Sequence, residues 1–420
     1  MQQREQLKIF DALYGEIVFS QELSRLAQGP PVQRLRHVRL SNIDSPSMPG
    51  IANISRYEHA LGACFLATQM PLLRKVAPAD ALVIQSAALL HDWAITPFGH
   101  LVEEALRYLA KDFDHEKKLE DLLSNKELGG PQHQLLYGRE ADLEAWARTV
   151  FGSEWSDRLG EIRADIAGSG RYGRCVAGSI DLDNLDNVSR IAYHMGLKVD
   201  RVLPVTIARG ILDCTEADGL IFDAATMDYI ERWLQLRREV YEHLMLSRTD
   251  FAGKVMLIYA TITAYKQGLL EDRDWMLNDI AFLERLLSCR DAKIAETARR
   301  WLVGEEWNLS NLVWFAGSAP DYARVYQYSK LASDAIGREC LAYRITDKRT
   351  RLIEIRCADG ARVRLGRPAD RWLLGVGSSK RQEFSAREND ELVKGASRFF
   401  ETTCLGRETD YTSAAGRLFE

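Results

Sequence analysis

The run Ala81-Leu82-Val83-Ile84-Gln85-Ser86-Ala87-Ala88-Leu89-Leu90 constrains this chain most, because it is apolar at nearly every helical position and then ends on His91-Asp92. A helix that is hydrophobic all round is a buried one. Ending it on an imidazole and a carboxylate is costly in a dry interior unless something pairs with both. A metal ion supplies that pairing. An adjacent His-Asp pair is common, and a lone histidine on an apolar helix is usually a satisfied core residue, so the reading depends on its neighbours.

The neighbouring periodicity is helical. Apolar residues recur every three to four positions across 57–70, 80–92 and 97–110, which predicts helix on helix. Thr96 reads as an N-cap with Pro97 at the first helical position. Upstream, residues 10–25 predict a turn or hairpin feeding a helix. Shorter helical candidates fill 116–170, broken by Gly129-Gly130-Pro131 and Gly168-Ser169-Gly170, and a further helix is predicted over 181–195. Met227–Met245, Asp250–Gln267 and Leu277–Trp301 extend the all-α pattern to about residue 330. Cys340–Gly375 then alternates polar and β-branched residues around an Asp-Gly turn, the signal of hairpins. The expected fold is therefore mainly α, with a helical core and a small C-terminal α+β region. The expected organisation is an N-terminal segment over 1–50 packing on the core, a helical domain over 51–330, and a mixed α/β region over 331–420.

Composition excludes several classes of partner. The 55 Lys+Arg nearly balance the 60 Asp+Glu, so no whole-protein field of either sign attracts nucleic acid or an anionic membrane. Seven scattered cysteines without a CxxC argue against a disulfide framework or a thiolate zinc site. No run reaches the roughly 18 to 20 apolar residues needed to cross a bilayer, and the N-terminus lacks the apolar core of a signal peptide. A cytoplasmic, soluble protein is the expectation.

Metal-competent residues concentrate in three segments: Arg56-Tyr57-Glu58-His59, His91-Asp92 with Pro97-Phe98-Gly99-His100, and Ile180-Asp181-Leu182-Asp183-Asn184-Leu185-Asp186. A set of His59, His91, Asp92 and Asp183 suits a divalent ion and leaves coordination positions free for water and phosphate oxygens. His100 and Glu103, three apart, share a helical face, where the carboxylate would orient the imidazole and hold it protonated. By spacing alone, an i,i+3 surface ion pair explains them equally well.

With these residues assembled, the chain resembles the dNTP triphosphohydrolases of the HD superfamily from about residue 10 to 270. The markers are Asp11…Tyr14-Gly15-Glu16-Ile17, Gln33-Arg34-Leu35-Arg36, Arg56-Tyr57-Glu58-His59-Ala60-Leu61-Gly62, His91-Asp92…Pro97-Phe98-Gly99-His100, His115-Glu116 and Ile180-Asp181-Leu182-Asp183. The resemblance implies an HD-type helical core in which His59, His91, Asp92 and Asp183 bind one divalent ion (Mg, Mn, Fe, Ni or Zn). It implies a phosphate contact for Arg56 and a catalytic group of His100, Glu103, His115 and Glu116. It also implies a homo-oligomer, dimer or tetramer.

The departures are as informative. Ile95 stands where an HDxxH pattern has a second histidine, which argues against a two-metal site. Asn184, Asn187 and Ile191 stand where the family uses Lys, Tyr and Asp around triphosphate and sugar, and Phe251 replaces a usual tyrosine. Asn184, Asn187, Arg248, Phe251 and Lys254 are the remaining substrate-binding candidates. The expected activity is hydrolysis of a nucleotide phosphoester, foremost a (deoxy)nucleoside triphosphate split into nucleoside and triphosphate by metal-activated water. Two alternatives stay open at this point: a phosphatase for another small phosphorylated metabolite or a nucleoside monophosphate, and a nucleotide-binding regulatory protein with impaired catalysis.

Overall fold

A computed structural model describes residues 6–41, 48–111, 113–115, 118, 143–215 and 219–408. The chain opens with an antiparallel hairpin, β1 (Lys8–Asp11) and β2 (Gly15–Val18). Its turn is set by Asp11 Oδ1, which accepts the amides of Leu13 at 2.8 Å and Tyr14 at 2.9 Å. The hairpin feeds α1 (Gln21–Ala27), as the turn signals predict, and three short pieces follow through α2 (Pro30–Arg34) and α3 (Pro49–Ala52).

Next come the helices that carry the site. In α4 (Arg56–Gln69) a capping box ties Ser55 to Glu58, so the first turn is fixed by two reciprocal side-chain contacts. The apolar run forms α5 (Pro78–Leu90), and Val83, Ile84, Ala87, Ala88, Leu89 and Leu90 are all buried against α4 and its neighbours. The following helix, α6, begins at Leu101 and ends at Tyr108, four residues later than Thr96-Pro97 predicts. The reason is local. Phe98 and Gly99 both take left-handed backbone (φ +55° and +63°), and Thr96 Oγ1 donates to the Gly99 carbonyl, closing a tight loop where the first helical turn was expected.

Beyond residue 142 the helical candidates appear as α7 (Leu143–Phe151), α8 (Trp155–Ile166), α9 (Leu182–His194) and α10 (Leu203–Arg209). They continue with α11 (Met227–Leu246) and α12 (Arg248–Lys266), close to the predicted bounds. The predicted Leu277–Trp301 helix is two helices, α13 (Asp279–Leu287) and α14 (Ala292–Leu302), because Asp291 caps the second by accepting the amides of Lys293 and Ile294.

The helical pattern is interrupted before residue 330, contrary to expectation. β3 (Ile211–Thr215) and β4 (Gly219–Phe222) form a hairpin, and β5 (Asn308–Leu309) and β6 (Val313–Ala316) precede α15 (Tyr322–Ile336). These strands are two to five residues long, and β4, β5 and β6 complete their ladders with distant partners, so they lack a strong local signal. β7 (Leu341–Thr346), β8 (Ile353–Cys357), β9 (Arg362–Leu365) and β10 (Arg371–Ser378) follow, with α16 (Ala386–Phe400) and β11 (Cys404–Arg407) last. β8 and β9 are the hairpin predicted around Asp359-Gly360. β4 runs parallel to β8, while β10 pairs with β5, β6 and β7, so strands on both sides of residue 330 share two sheets. The architecture is mainly α, with α+β structure towards the C-terminus.

One buried arginine holds the segment after His91-Asp92 in place. Arg34, only 2% exposed, donates from Nε to the Met276 carbonyl at 2.8 Å and from Nη2 to Ile95 at 2.7 Å and Leu277 at 2.8 Å. It thus joins α2, the 92–97 turn and the loop before α13. Replacing it strands several buried carbonyls at once, each expensive to leave unsatisfied. Arg34→Met is expected to lose about 3 kcal/mol or more of stability in denaturant unfolding; an unchanged midpoint and slope would contradict this role.

Candidate metal centre

Three helix ends converge. His59 lies in the first turn of α4, His91 is the C-terminal cap of α5 with Asp92 next to it, and Asp183 is the second residue of α9. The Nε2 atoms of His59 and His91 face each other at 3.1 Å. Asp183 Oδ1 is 3.0 Å from His59 Nε2 and 3.8 Å from His91 Nε2; Asp92 Oδ2 is 3.7 and 3.5 Å from the same two atoms. Ligands about 2.1 Å from a common ion lie roughly 3.0 to 3.5 Å apart in octahedral or tetrahedral arrangements, so the four donors have the spacing of a metal shell.

Proton placement makes the same demand. His91 Nδ1 lies 2.8 Å from the Ala88 carbonyl, which only accepts, so Nδ1 carries the hydrogen and Nε2 presents a lone pair. His59 Nδ1 lies 2.7 Å from the Asp186 carboxylate and is fixed in the same way. Two imidazole nitrogens and two carboxylate oxygens thus converge on one place, a donor set that suits a divalent cation. Burial pulls the His59 pKa down, but hydrogen bonds with Asp183 and Asp186 carry it up to about 9, a measure of how strongly this cradle favours positive charge. Asp92 is driven well below the usual carboxylate range despite burial, chiefly by the Arg56 guanidinium, whose Nη1 is 2.7 Å from Oδ2.

Behind His59 runs a buried chain of charges. Asp186 takes a bidentate contact from Arg190 (Nε to Oδ2 and Nη2 to Oδ1, both 2.9 Å), and Arg190 Nη1 reaches Asp11 Oδ2 at 2.9 Å. Burial raises the Asp186 pKa, yet Arg190 and His59 hold it at about 2. Neither Asp186 nor Arg190 has a role in the sequence-based expectations. The signal was present: Asp183, Asp186 and Arg190 recur at helical spacing on one face of α9.

Beside the metal centre, Glu103 serves three partners, two imidazoles and a guanidinium. Its Oε2 is 2.9 Å from His100 Nδ1 and 3.2 Å from His115 Nδ1, and its Oε1 is 2.6 Å from Arg107 Nη2. Glu103 is accordingly held far below the ordinary carboxylate range, although burial opposes this. His100 does not become the charged imidazole that the i,i+3 spacing suggests. Desolvation lowers its pKa, Glu103 raises it, and Arg56 and His115 lower it again, with the net direction downward. One carboxylate divided among three partners cannot hold each of them charged. Glu116 lies outside the described residues.

The substrate-binding candidates fall in different places. Arg56 is paired with Asp92. Asn184 uses both ends of its amide, Nδ2 on Asp181 at 2.9 Å and Oδ1 on Arg351 at 2.8 Å. Asn187 Oδ1 is buried without a hydrogen-bond partner among the described residues. Lys254 is buried, with its pKa lowered by desolvation against the pull of Asp250 and Glu104. Phe251 is in the core, its ring 5.2 Å from that of Tyr343. Arg248 donates to the Leu309 carbonyl and faces a separate cleft with Glu306 and Asn308. A further cleft of about 600 Å³ is lined by Arg238, Arg349, Arg351, Arg367 and Arg371.

Gly62 is what allows α4 and α9 to approach this closely. A Cβ there would fall 2.0 Å from Asp186 Oδ1 and 2.4 Å from Arg190 Nη2. Gly62→Ala should therefore displace the carboxylate that orients His59 and weaken metal binding by about 10- to 100-fold, although residue 62 touches no ligand position. Calorimetric titration of the folded variant with Mn2+ checks this, and wild-type affinity would contradict it.

No family model matches the chain. It is 26% identical over 220 residues to the deoxynucleoside triphosphate triphosphohydrolase SAMHD1 of Mus musculus, covering 46% of this chain and 32% of that protein. It is 30% identical over 203 residues to the uncharacterized protein YdhJ of Bacillus subtilis, covering 48% of this chain and 57% of that one. The chain thus spans between about a third and somewhat over half the length of these curated relatives. In fold it matches a phosphohydrolase from Bacteroides thetaiotaomicron with a TM-score of 0.62 at 18% identity, over 90% of this chain and 100% of the other. The chain is thus similar in sequence to the HD-type dNTP triphosphohydrolase SAMHD1 and in fold to a solved phosphohydrolase.

Proposed function

We propose that the chain is a metal-dependent phosphohydrolase acting on a nucleotide phosphoester, foremost a deoxynucleoside triphosphate that it splits into deoxynucleoside and triphosphate. The observation that carries this reading is the convergence of His59, His91, Asp92 and Asp183 beside a second group in which Glu103 holds His100 and His115. A divalent ion bound by the first group would acidify a water molecule and offset charge on the phosphoryl oxygens. The nucleotide substrate is supported by the relatives named for that reaction and by the cations Arg237 and Arg351 in the surroundings of Asp183.

The protein's own residues account for the proton. His100 and His115 both contact Glu103 through Nδ1, which leaves each Nε2 turned away from that carboxylate. His100 is the neutral form near pH 7 because its pKa lies below the ordinary 6.5, so it accepts a proton from the attacking water. Glu103 beneath it stabilises the imidazolium that forms, and the same proton passes to the leaving sugar oxygen as the phosphorus–oxygen bond breaks. The new bond joins the water oxygen to phosphorus. Arg56 keeps Asp92 ionised and in place.

The direct test offers the metal-loaded protein a panel of deoxynucleoside triphosphates, ribonucleotides, monophosphates and sugar phosphates, with products resolved by chromatography and 18O-labelled water as tracer. Free deoxynucleoside with label in the triphosphate is expected. Release of orthophosphate from monophosphates alone would return the chain to the broader phosphatase class.

Two further outcomes follow from the imidazole pair. Since the neutral ring is the competent one, turnover should rise with pH through a value below 6.5 and be level near neutrality; turnover that falls as neutrality is approached would reverse the assignment. His100→Ala and Glu103→Ala should each lower kcat by about 10²-fold or more with metal retained. Their double variant should resemble the worse single one, because residues acting as a unit share one loss; multiplicative losses would separate them.

A further inference from the structure

Arg237 on α11 is 6% exposed, its guanidinium lies 4.3 Å from the Tyr241 ring centre, and its Nε and Nη1 have no hydrogen-bond partner among the described residues. Both residues belong to the metal centre's surroundings, since Tyr241 feels the charges of Asp183, Arg237 and Lys348. Tyr241 engages part of this guanidinium, and leaving its buried Nε and Nη1 without an acceptor is costly, which suits an anion that arrives from outside.

Facing it is the segment between β7 and β8. Asp347 pins that segment by accepting from Arg349 (Nε 2.9 Å, Nη2 2.9 Å) and from Arg371 (Nε 2.8 Å). The Lys348 amide donates to Met245 Sδ at 3.4 Å, docking the segment on α11. Between these fixed points the Lys348 side chain is exposed, its ammonium 5.9 Å from the Tyr241 ring centre, and its charge is felt by buried Lys254. Arg351 completes the row, donating to Asn184 Oδ1 at 2.8 Å and to the Gly178 carbonyl at 2.6 Å, next to the residue that follows Asp183.

We propose that Lys348 and Arg351, carried by the C-terminal sheet segment, form with Arg237 one wall of the substrate pocket and bind the outer phosphates of a polyphosphate chain. This rests on the phosphohydrolase reading above and narrows it. The metal centre already offsets the charge of one phosphoryl group. Arg237, Lys254, Lys348 and Arg351 add four cations, which match a di- or triphosphate and exceed what a monophosphate needs. Arg351, held on the side chain of Asn184, also supplies positive charge beside Asp183 where residue 184 itself has none.

The test is calorimetric titration of the full chain at saturating Mn2+ with inorganic triphosphate and, separately, orthophosphate, at low and high salt. Wild type should bind triphosphate. Lys348→Ala and Arg351→Ala should each weaken that binding about tenfold and flatten its salt dependence, with orthophosphate binding and metal content unchanged. Lys348→Arg should retain it. If wild type binds triphosphate and both alanine variants bind it equally well, the clamp is wrong while the phosphohydrolase reading stands. If wild type binds no triphosphate, both fail. If binding depends on Arg367 and not on Lys348, the anion sits in the neighbouring arginine cleft and the clamp is overturned.

Discussion

The buried sequence of charges Asp11, Arg190, Asp186 and His59 is the constraint on which the rest of this structure depends. The side chains of Arg190, Asp186 and His59 are 0% exposed and that of Asp11 is 2%, so no water compensates any of them. Each is paired with the next, and Asp11 also accepts the Leu13 and Tyr14 amides. The row passes from the N-terminal hairpin through α9 to α4, and its last member belongs to the candidate metal centre. Hairpin, helix register and tautomer of His59 are therefore parts of one electrostatic arrangement. This explains why a polar turn at Asp11 and a glycine at position 62 matter to a site that neither touches.

A second set of contacts binds the helical part to the sheets. Glu104 accepts the Tyr322 hydroxyl at 2.8 Å and the Tyr343 hydroxyl at 2.9 Å, while the Tyr108 hydroxyl donates to the Ala342 carbonyl at 2.9 Å. Glu104 follows Glu103, which carries the two imidazoles. The strand that ends in the Lys348 segment is thus fixed to the same short helix that presents the acid–base group. The C-terminal region, which the family resemblance does not cover, reaches the start of α9 through Arg351, which donates to Asn184 and to the Gly178 carbonyl.

Much of this was legible in the chain. The apolar run ending on His91-Asp92, the capping box before His59 and the acidic start of α9 are local signals, and they locate the ligand-bearing helices. The hairpin at 353–365 was legible through its Asp-Gly turn. What could not be read depends on pairing across the fold. The start of α6 was misplaced because Thr96 closes a loop on Gly99, a choice that left-handed Phe98 makes available and that propensity does not reveal. β4 and β6 are short and complete their sheets with strands far away in sequence. The charge state of His100 was also hidden, because its desolvation and the sharing of Glu103 with His115 arise only in three dimensions.

The central claim is that one divalent ion sits among His59, His91, Asp92 and Asp183 and not at the neighbouring His100–Glu103–His115 group, which also has metal-competent donors. Anomalous diffraction from crystals grown with Mn2+ decides between them. The account predicts one strong peak about 2.0 to 2.3 Å from His59 Nε2, His91 Nε2 and the two aspartates. A peak bound by His100, Glu103 and His115 with nothing between the two facing imidazoles would contradict it.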